Sequence, residues 1–185
     1  MWVISLSLLV ACWFAWLYPF VFRAPHIQRR ESITVAAPTR VGLALEGLAI
    51  FIAFAGHRPL AASPGILAYA LALLIGPASA VMAWKAVAHL GRQFRFHAGL
   101  YHDHVLVRTG PYAIVRHPIY SSLMGMLVCT ILLMTEWRWA AVSLALFIAG
   151  TEIRVRSEDG LLASRFGDEF RLYRRRVPAY IPFVR

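Results

Sequence analysis

The chain has 185 residues, 59% of them hydrophobic and only 15% charged, with a net charge of +10. A single domain of that size cannot bury so large an apolar share in a water-soluble core. The same figures exclude disordered, collagen-like and coiled-coil chains. A membrane protein is left.

Five apolar segments succeed one another, at about residues 2–22, 39–56, 64–84, 118–135 and 137–153. Each is near the ~20 residues that a ~30 Å hydrocarbon core requires of a helix. The sequence thus predicts an all-α, polytopic protein of about five transmembrane helices. It reads as one membrane domain over 1–185: three helices within 1–90, then a hairpin over 118–153 and a cytoplasmic helical tail within 91–185.

No positive charge precedes the first segment, and its arginines follow it. A secretory signal has the reverse order, so a retained helix is expected. Trp13, Phe14, Trp16, Tyr18, Phe20 and Phe22 crowd its inner end, as aromatic residues do at a membrane interface. The second segment encloses Glu46. An intramembrane carboxylate is a functional candidate, or it hydrogen-bonds a neighbouring helix; both readings stand. The fourth and fifth segments are joined through the short stretch Thr135–Arg138, which overlaps their ends and predicts an antiparallel hairpin. Cys12 and Cys129 both lie in apolar runs. They exclude a disulfide framework or a cysteine-rich zinc site and read as small core or lipid-facing residues.

The basic residues sit between the apolar segments, which argues against nucleic acid as a partner. Arg23, Arg29 and Arg30 lie between the first and second segments, with Arg40 at the near edge of the second. Lys85, Arg92, Arg95, Arg108 and Arg116 lie between the third and fourth. Eight more arginines follow the fifth, and only Arg58 and Arg138 lie in or at the edge of the other two links. Seventeen cations on one side against two on the other place the loaded side in the cytoplasm. With five spans, the N-terminus is expected outside and the C-terminus in the cytoplasm, in a cytoplasmic (inner) membrane.

Two stretches carry chemistry. The first runs from His104 through Gly110-Pro111-Tyr112 to Val115-Arg116-His117-Pro118-Ile119-Tyr120. Gly-Pro marks a turn, and Pro118 suits the first turn of a helix. Arg116 and His117 then stand just before a helix N-terminus, whose dipole favours an anion such as a carboxylate or phosphate. A plain positive-inside anchor with a proline start has the same pattern. The second stretch begins Glu152-Ile153-Arg154 and continues to Glu158-Asp159, Phe166-Gly167, Phe170, Tyr173 and Pro178. Arg154, Glu158, Leu162, Phe166 and Phe170 are four apart and share one helical face. A helix over 158–176 is predicted, with Leu162 and Phe166 packed inward and a break at Gly167. Arg154 and Glu158 read either as an i,i+4 ion pair or as a site beside an apolar stripe.

Cations on one stretch and a carboxylate on the other suit a zwitterion with an added positive charge. S-adenosylmethionine is such a ligand. The chain contains no Gly-rich dinucleotide fingerprint, no P-loop and no nucleophile elbow. His89, His97, His102 and His104 match no metal-ligand spacing, so no metal is expected.

Leu106-Val107-x-x-Gly110-Pro111-Tyr112, then Val115-Arg116-His117-Pro118-x-Tyr120, resembles the signature of the isoprenylcysteine carboxyl methyltransferase family and its phospholipid N-methyltransferase relatives. So does Arg154-x-x-x-Glu158-Asp159, followed by Phe166-Gly167-x-Glu169-Phe170, Tyr173 and Arg176-Val177-Pro178-x-x-Ile181-Pro182. The resemblance covers about 104–185. Two positions depart from the family pattern: Asp159 where a second Glu is usual, and Phe170 where Tyr is common. The resemblance implies a membrane enzyme using S-adenosylmethionine. By motif position, Gly110, Tyr112, Val115, Arg116, His117, Tyr120 and Glu158 line the cofactor pocket. Arg154 and Glu158 are the implied catalytic residues, with Arg154 near the methyl acceptor.

The expected function is therefore methyl transfer to a lipophilic or lipidated acceptor, carboxylate or amine, that reaches the site from the bilayer. An amine acceptor needs a base, for which His104 or Glu158 is nearest. Two other classes compete: an NADPH-dependent lipid or sterol-type reductase, and a small non-enzymatic carrier or assembly protein.

Overall fold

A computed structural model describes residues 2–23, 34–35, 38–59, 62–94, 99–100 and 105–182. His97, His102 and His104 lie outside the described residues, as do Arg29, Arg30, Arg95 and Arg185.

Among the described residues six α-helices follow in chain order: α1 (Trp2–Tyr18), α2 (Pro38–Ala55), α3 (Ile66–Leu90), α4 (Pro118–Met134), α5 (Trp137–Phe166) and α6 (Asp168–Arg176). A π-turn, Pro19–Arg23, continues α1. The described strands, β1 (Thr34–Val35) and β2 (Gly99–Leu100), form one short antiparallel pair. Among the described residues, three helical stretches are long and apolar enough to cross a membrane: Trp2–Phe22, Pro38–Ala55 and Ile66–Leu90. The fourth expected span is the shorter apolar helix α4. The fifth does not stop near 153: α5 continues unbroken for 30 residues and carries the charged motif on the same rod.

Packing sorts these helices into two pairs, α2 along α5 and α3 along α4, with α1 against α3 and α4. The two-residue link between α4 and α5 joins the pairs, yet each of those helices packs chiefly on another partner. Small residues allow the close approach of α2 and α5. A Cβ on Gly42 would lie 2.6 Å from the Gly150 carbonyl oxygen, and one on Gly150 would lie 2.6 Å from that of Gly42. Only glycine fits both positions. Side chains then stitch neighbours through their backbones, as where Ser143 donates to the Ala49 carbonyl at 2.7 Å. Trp16 Nε1 donates to Ser122 Oγ at 3.0 Å, tying α1 to α4. Cys12 and Cys129 are buried free thiols flanking Gly76.

The tail departs from its expected packing. Leu162 and Phe166 are only half-buried, because α5 ends at Gly167, with φ +53°, and α6 sets off in a new direction. The inward anchors are Phe170, 0% exposed, and Tyr173, which donates to the Tyr112 carbonyl at 2.6 Å. Phe170→Ala should cost about 3–5 kcal/mol, as expected for a fully buried ring. Phe166→Ala should cost less. Melting in detergent checks the order, and equal melting temperatures for the two variants would contradict it.

Candidate functional site

The start of α4 is built by a turn and a strap. Gly110 adopts φ +59°, and a Cβ there would collide with the His89 ring, so glycine is required twice over. The turn brings Tyr112 inward, 7% exposed, and seals Val115 at 0%. The C-terminal segment then crosses over: Arg116 N–H donates to the Pro178 carbonyl at 2.9 Å and His117 N–H to that of Ala179 at 2.8 Å. Ser121 Oγ adds a hydrogen bond to the Tyr180 carbonyl. Two backbone donors before α4 are therefore used by the chain's own tail.

Arg116 and His117 converge on Asp159 of α5. Arg116 Nη2 donates to Oδ2 at 2.8 Å, and His117 Nε2 lies 2.9 Å from Oδ1. The carboxylate these two basic groups hold is thus internal. Arg116 Nη1 also donates to the Val177 carbonyl, at the end of α6. Asp159 is off the Arg154–Glu158 stripe, and only its place beside Glu158 in the motif pointed to it.

Glu158 is held differently. His117 Nδ1 lies 3.2 Å from Oε2, and the Tyr120 hydroxyl donates to Oε1. Its side chain stays 25% exposed, against 6% for Asp159, so Glu158 is the carboxylate that can meet a ligand. Burial opposes protonation of His117, but the hydrogen bonds to Asp159 and Glu158 outweigh it and hold its pKa at about 8. Burial also pushes both carboxyls upward. Their bonds to His117 and to Tyr120 or Arg116 win, so both are depressed below the ordinary range.

Arg154 does not pair with Glu158, as an i,i+4 reading allowed. Its Nη1 donates to Glu46 Oε2 on α2, and its Cζ lies 4.5 Å from the centre of the Tyr120 ring. Thr151 Oγ1 donates to the other Glu46 oxygen at 2.9 Å. Glu46 is therefore a helix-to-helix partner, a link the sequence left open. The Nε atoms of Arg116 and Arg154 are buried without a hydrogen-bond partner among the described residues.

These groups border one cavity of about 330 Å³, within the range of small-molecule sites. Tyr112, Arg116, His117, Tyr120, Arg154 and Glu158 line it. Gly110 and Val115 are not among the lining residues; they shape the turn behind it. Sequence reasoning missed the apolar half of the wall, which includes Trp16, Phe20, Leu43, Phe94 and Leu123. No periodic signal links those positions. Among the described residues, no group of three or more His, Cys, Asp or Glu is placed to hold a metal ion.

Fold and site together define a helical membrane protein with a buried cluster of alternating charges beside a largely apolar cavity. Residues 70–164 match the isoprenylcysteine carboxyl methyltransferase (ICMT) family. That is half of the chain, and the chain belongs to this family.

Over 93 residues the chain is 36% identical to the protein-S-isoprenylcysteine O-methyltransferase of Schizosaccharomyces pombe, covering 44% of this chain and 35% of that protein. It is 37% identical over 81 residues to the cobalt-zinc-cadmium resistance protein CzcN of Cupriavidus metallidurans, covering 43% and 37%. The solved eukaryotic intramembrane Ras methyltransferase ICMT shares its fold, with a TM-score of 0.59 at 21% identity. That match covers 97% of this chain and 65% of the larger one. The matched stretches thus span little more than a third of the curated relatives.

Proposed function

We propose that this chain is an S-adenosylmethionine-dependent methyltransferase acting on a lipophilic carboxylate presented by the membrane, as an isoprenylcysteine presents it. The observation that carries this reading is that a ligand-facing carboxylate, Glu158, and the separately anchored Arg154 guanidinium both stand on the wall of one mainly apolar cavity.

The donor set fits the cofactor. Glu158 faces its ammonium and sulfonium, and buried guanidinium Nε atoms on Arg116 and Arg154 have hydrogen bonds left to give. Bound there, the cofactor supplies an electrophilic methyl group on sulfur. Tyr112, Arg116, His117, Tyr120 and Glu158 form its pocket, with Gly110 and Val115 shaping the turn that presents them. Arg154 aligns the acceptor carboxylate, whose oxygen needs no base. Among the described residues, an amine acceptor is poorly served. His117, with its pKa near 8, is largely protonated at neutral pH, and Glu158 already accepts hydrogen bonds from His117 and Tyr120. Most of the rate advantage then comes from orienting two reactants.

Calorimetry on detergent-purified protein tests the class. Heat with S-adenosylhomocysteine and none with NADPH is expected. The reverse would establish the reductase alternative, and silence with both would favour a carrier.

The topology belongs to the same reading. Five spans, with α4 and the first part of α5 as the last two, put the N-terminus outside and the tail in the cytoplasm. The 17-to-2 cation split supports this arrangement. A C-terminal reporter that fluoresces only in the cytoplasm should light up. A dark reporter, together with an active periplasmic fusion at the same site, would overturn the orientation.

A further inference from the structure

Glu46 lies on α2, outside the residues that match the family. Its side chain is 1% exposed. A carboxylate sealed at that depth needs a partner, and it has two, Arg154 and Thr151 of α5. The backbone prepares this contact. Where α2 and α5 cross, the Arg154 side chain packs over Gly42 and the Glu46 backbone over Gly150: added Cβ atoms would lie 2.5 Å from Arg154 Cγ and 3.1 Å from Glu46 N. On both helices the glycine and the charged residue, four positions apart, share one face.

The guanidinium is fixed from two sides, by Glu46 at Nη1 and by the Tyr120 ring against its plane. Leu43, on the same helix as Glu46, lines the cavity that Arg154 enters. A long side chain meant to align a reactant must be held before the reactant arrives.

We infer that Glu46 is a positioning residue: from α2 it fixes the Arg154 guanidinium in the orientation that receives the acceptor carboxylate. The inference rests on the role proposed above for Arg154.

The test is a double-mutant cycle of Glu46→Gln and Arg154→Gln on the full chain in lipid nanodiscs. Melting, S-adenosylhomocysteine binding and methylation of N-acetyl-S-farnesylcysteine are measured for each protein. Glu46→Gln should bind S-adenosylhomocysteine within about twofold of wild type while kcat falls about tenfold or more. In the Arg154→Gln background the same substitution should change kcat by less than about twofold, because it acts through Arg154. A merely structural role would lower melting and cofactor binding together and multiply the two losses; that outcome overturns the inference. So does an unchanged kcat in Glu46→Gln.

If Glu46→Gln does not fold, Glu46→Asp keeps the charge and withdraws it by one methylene. The same selective loss of kcat is then expected, and wild-type turnover overturns the inference. A wild-type protein that binds no S-adenosylhomocysteine defeats the methyltransferase reading itself. One that binds it but leaves the farnesylated probe unmethylated defeats the carboxylate acceptor, and the alignment with it.

Discussion

Glu158→Gln should weaken S-adenosylhomocysteine binding by about 10- to 150-fold. The substitution keeps the size of the side chain and removes the charge that faces the cavity. Loss of a charge-assisted hydrogen bond costs roughly 1.5–3 kcal/mol, and each ~1.4 kcal/mol is a decade of affinity. Arg156→Gln is the matched control, because the Arg156 side chain is 81% exposed and pairs with Glu152 one turn away. Surface pairs of that kind contribute at most ~1 kcal/mol. A calorimetric titration of the three proteins decides. Equal affinity in wild type and Glu158→Gln would remove Glu158 from the binding site, whatever the family motif implies.

The second large effect is on stability. Asp159→Asn strips the carboxylate from Arg116 and His117, both of which are nearly sealed from solvent. Breaking a buried pair by removing one partner typically costs about 3–5 kcal/mol. The variant should melt well below wild type and should also respond differently to pH. His117 has a folded pKa near 8, above its ordinary 6.5. Its contribution is thus complete below about pH 6.5 and is lost as pH rises through 8, a change of about 2 kcal/mol. Asp159 is depressed, so its contribution is present at neutral pH and lost only as acid protonates it. Wild-type protein should therefore lose melting temperature between about pH 6.5 and 9. Asp159→Asn should show a shallower alkaline decline, since His117 keeps only Glu158. Parallel curves for the two proteins would show that His117 does not draw its proton affinity from Asp159.

Hydropathy located the helices because a lipid-facing stretch must be apolar over its whole length, and that demand is local. The motif stretch was legible for a related reason. Gly110, Pro111 and Pro118 are backbone instructions written in single residues, and Arg154 and Glu158 do lie on one helical face. Partner choice was not legible. Arg154 pairs with Glu46, 108 positions away, on a helix whose close approach the two small residues Gly42 and Gly150 permit. Asp159 stood outside the apolar stripe and is buried all the same, because the tail and the start of α4 close over it. Phe166 fell on the right period but on the wrong side of Gly167, where the helix axis turns and Phe170 takes over the inward position. In each case the missing information was the relation between two elements, which no single period contains.

The unbroken length of α5 also sets a depth. Thirty residues at 1.5 Å each make a rod about 45 Å long. Trp137, 81% exposed, stands at its start, and Glu158 comes 21 residues later, about 32 Å along the axis. That is about one hydrocarbon thickness. A chain threaded along α5 with Trp137 at one water boundary therefore carries Glu158 to the other. In the five-span arrangement proposed above, this rod acts as a ruler, delivering its charged cluster to the level where the proposed water-borne cofactor and lipid-borne acceptor can first touch.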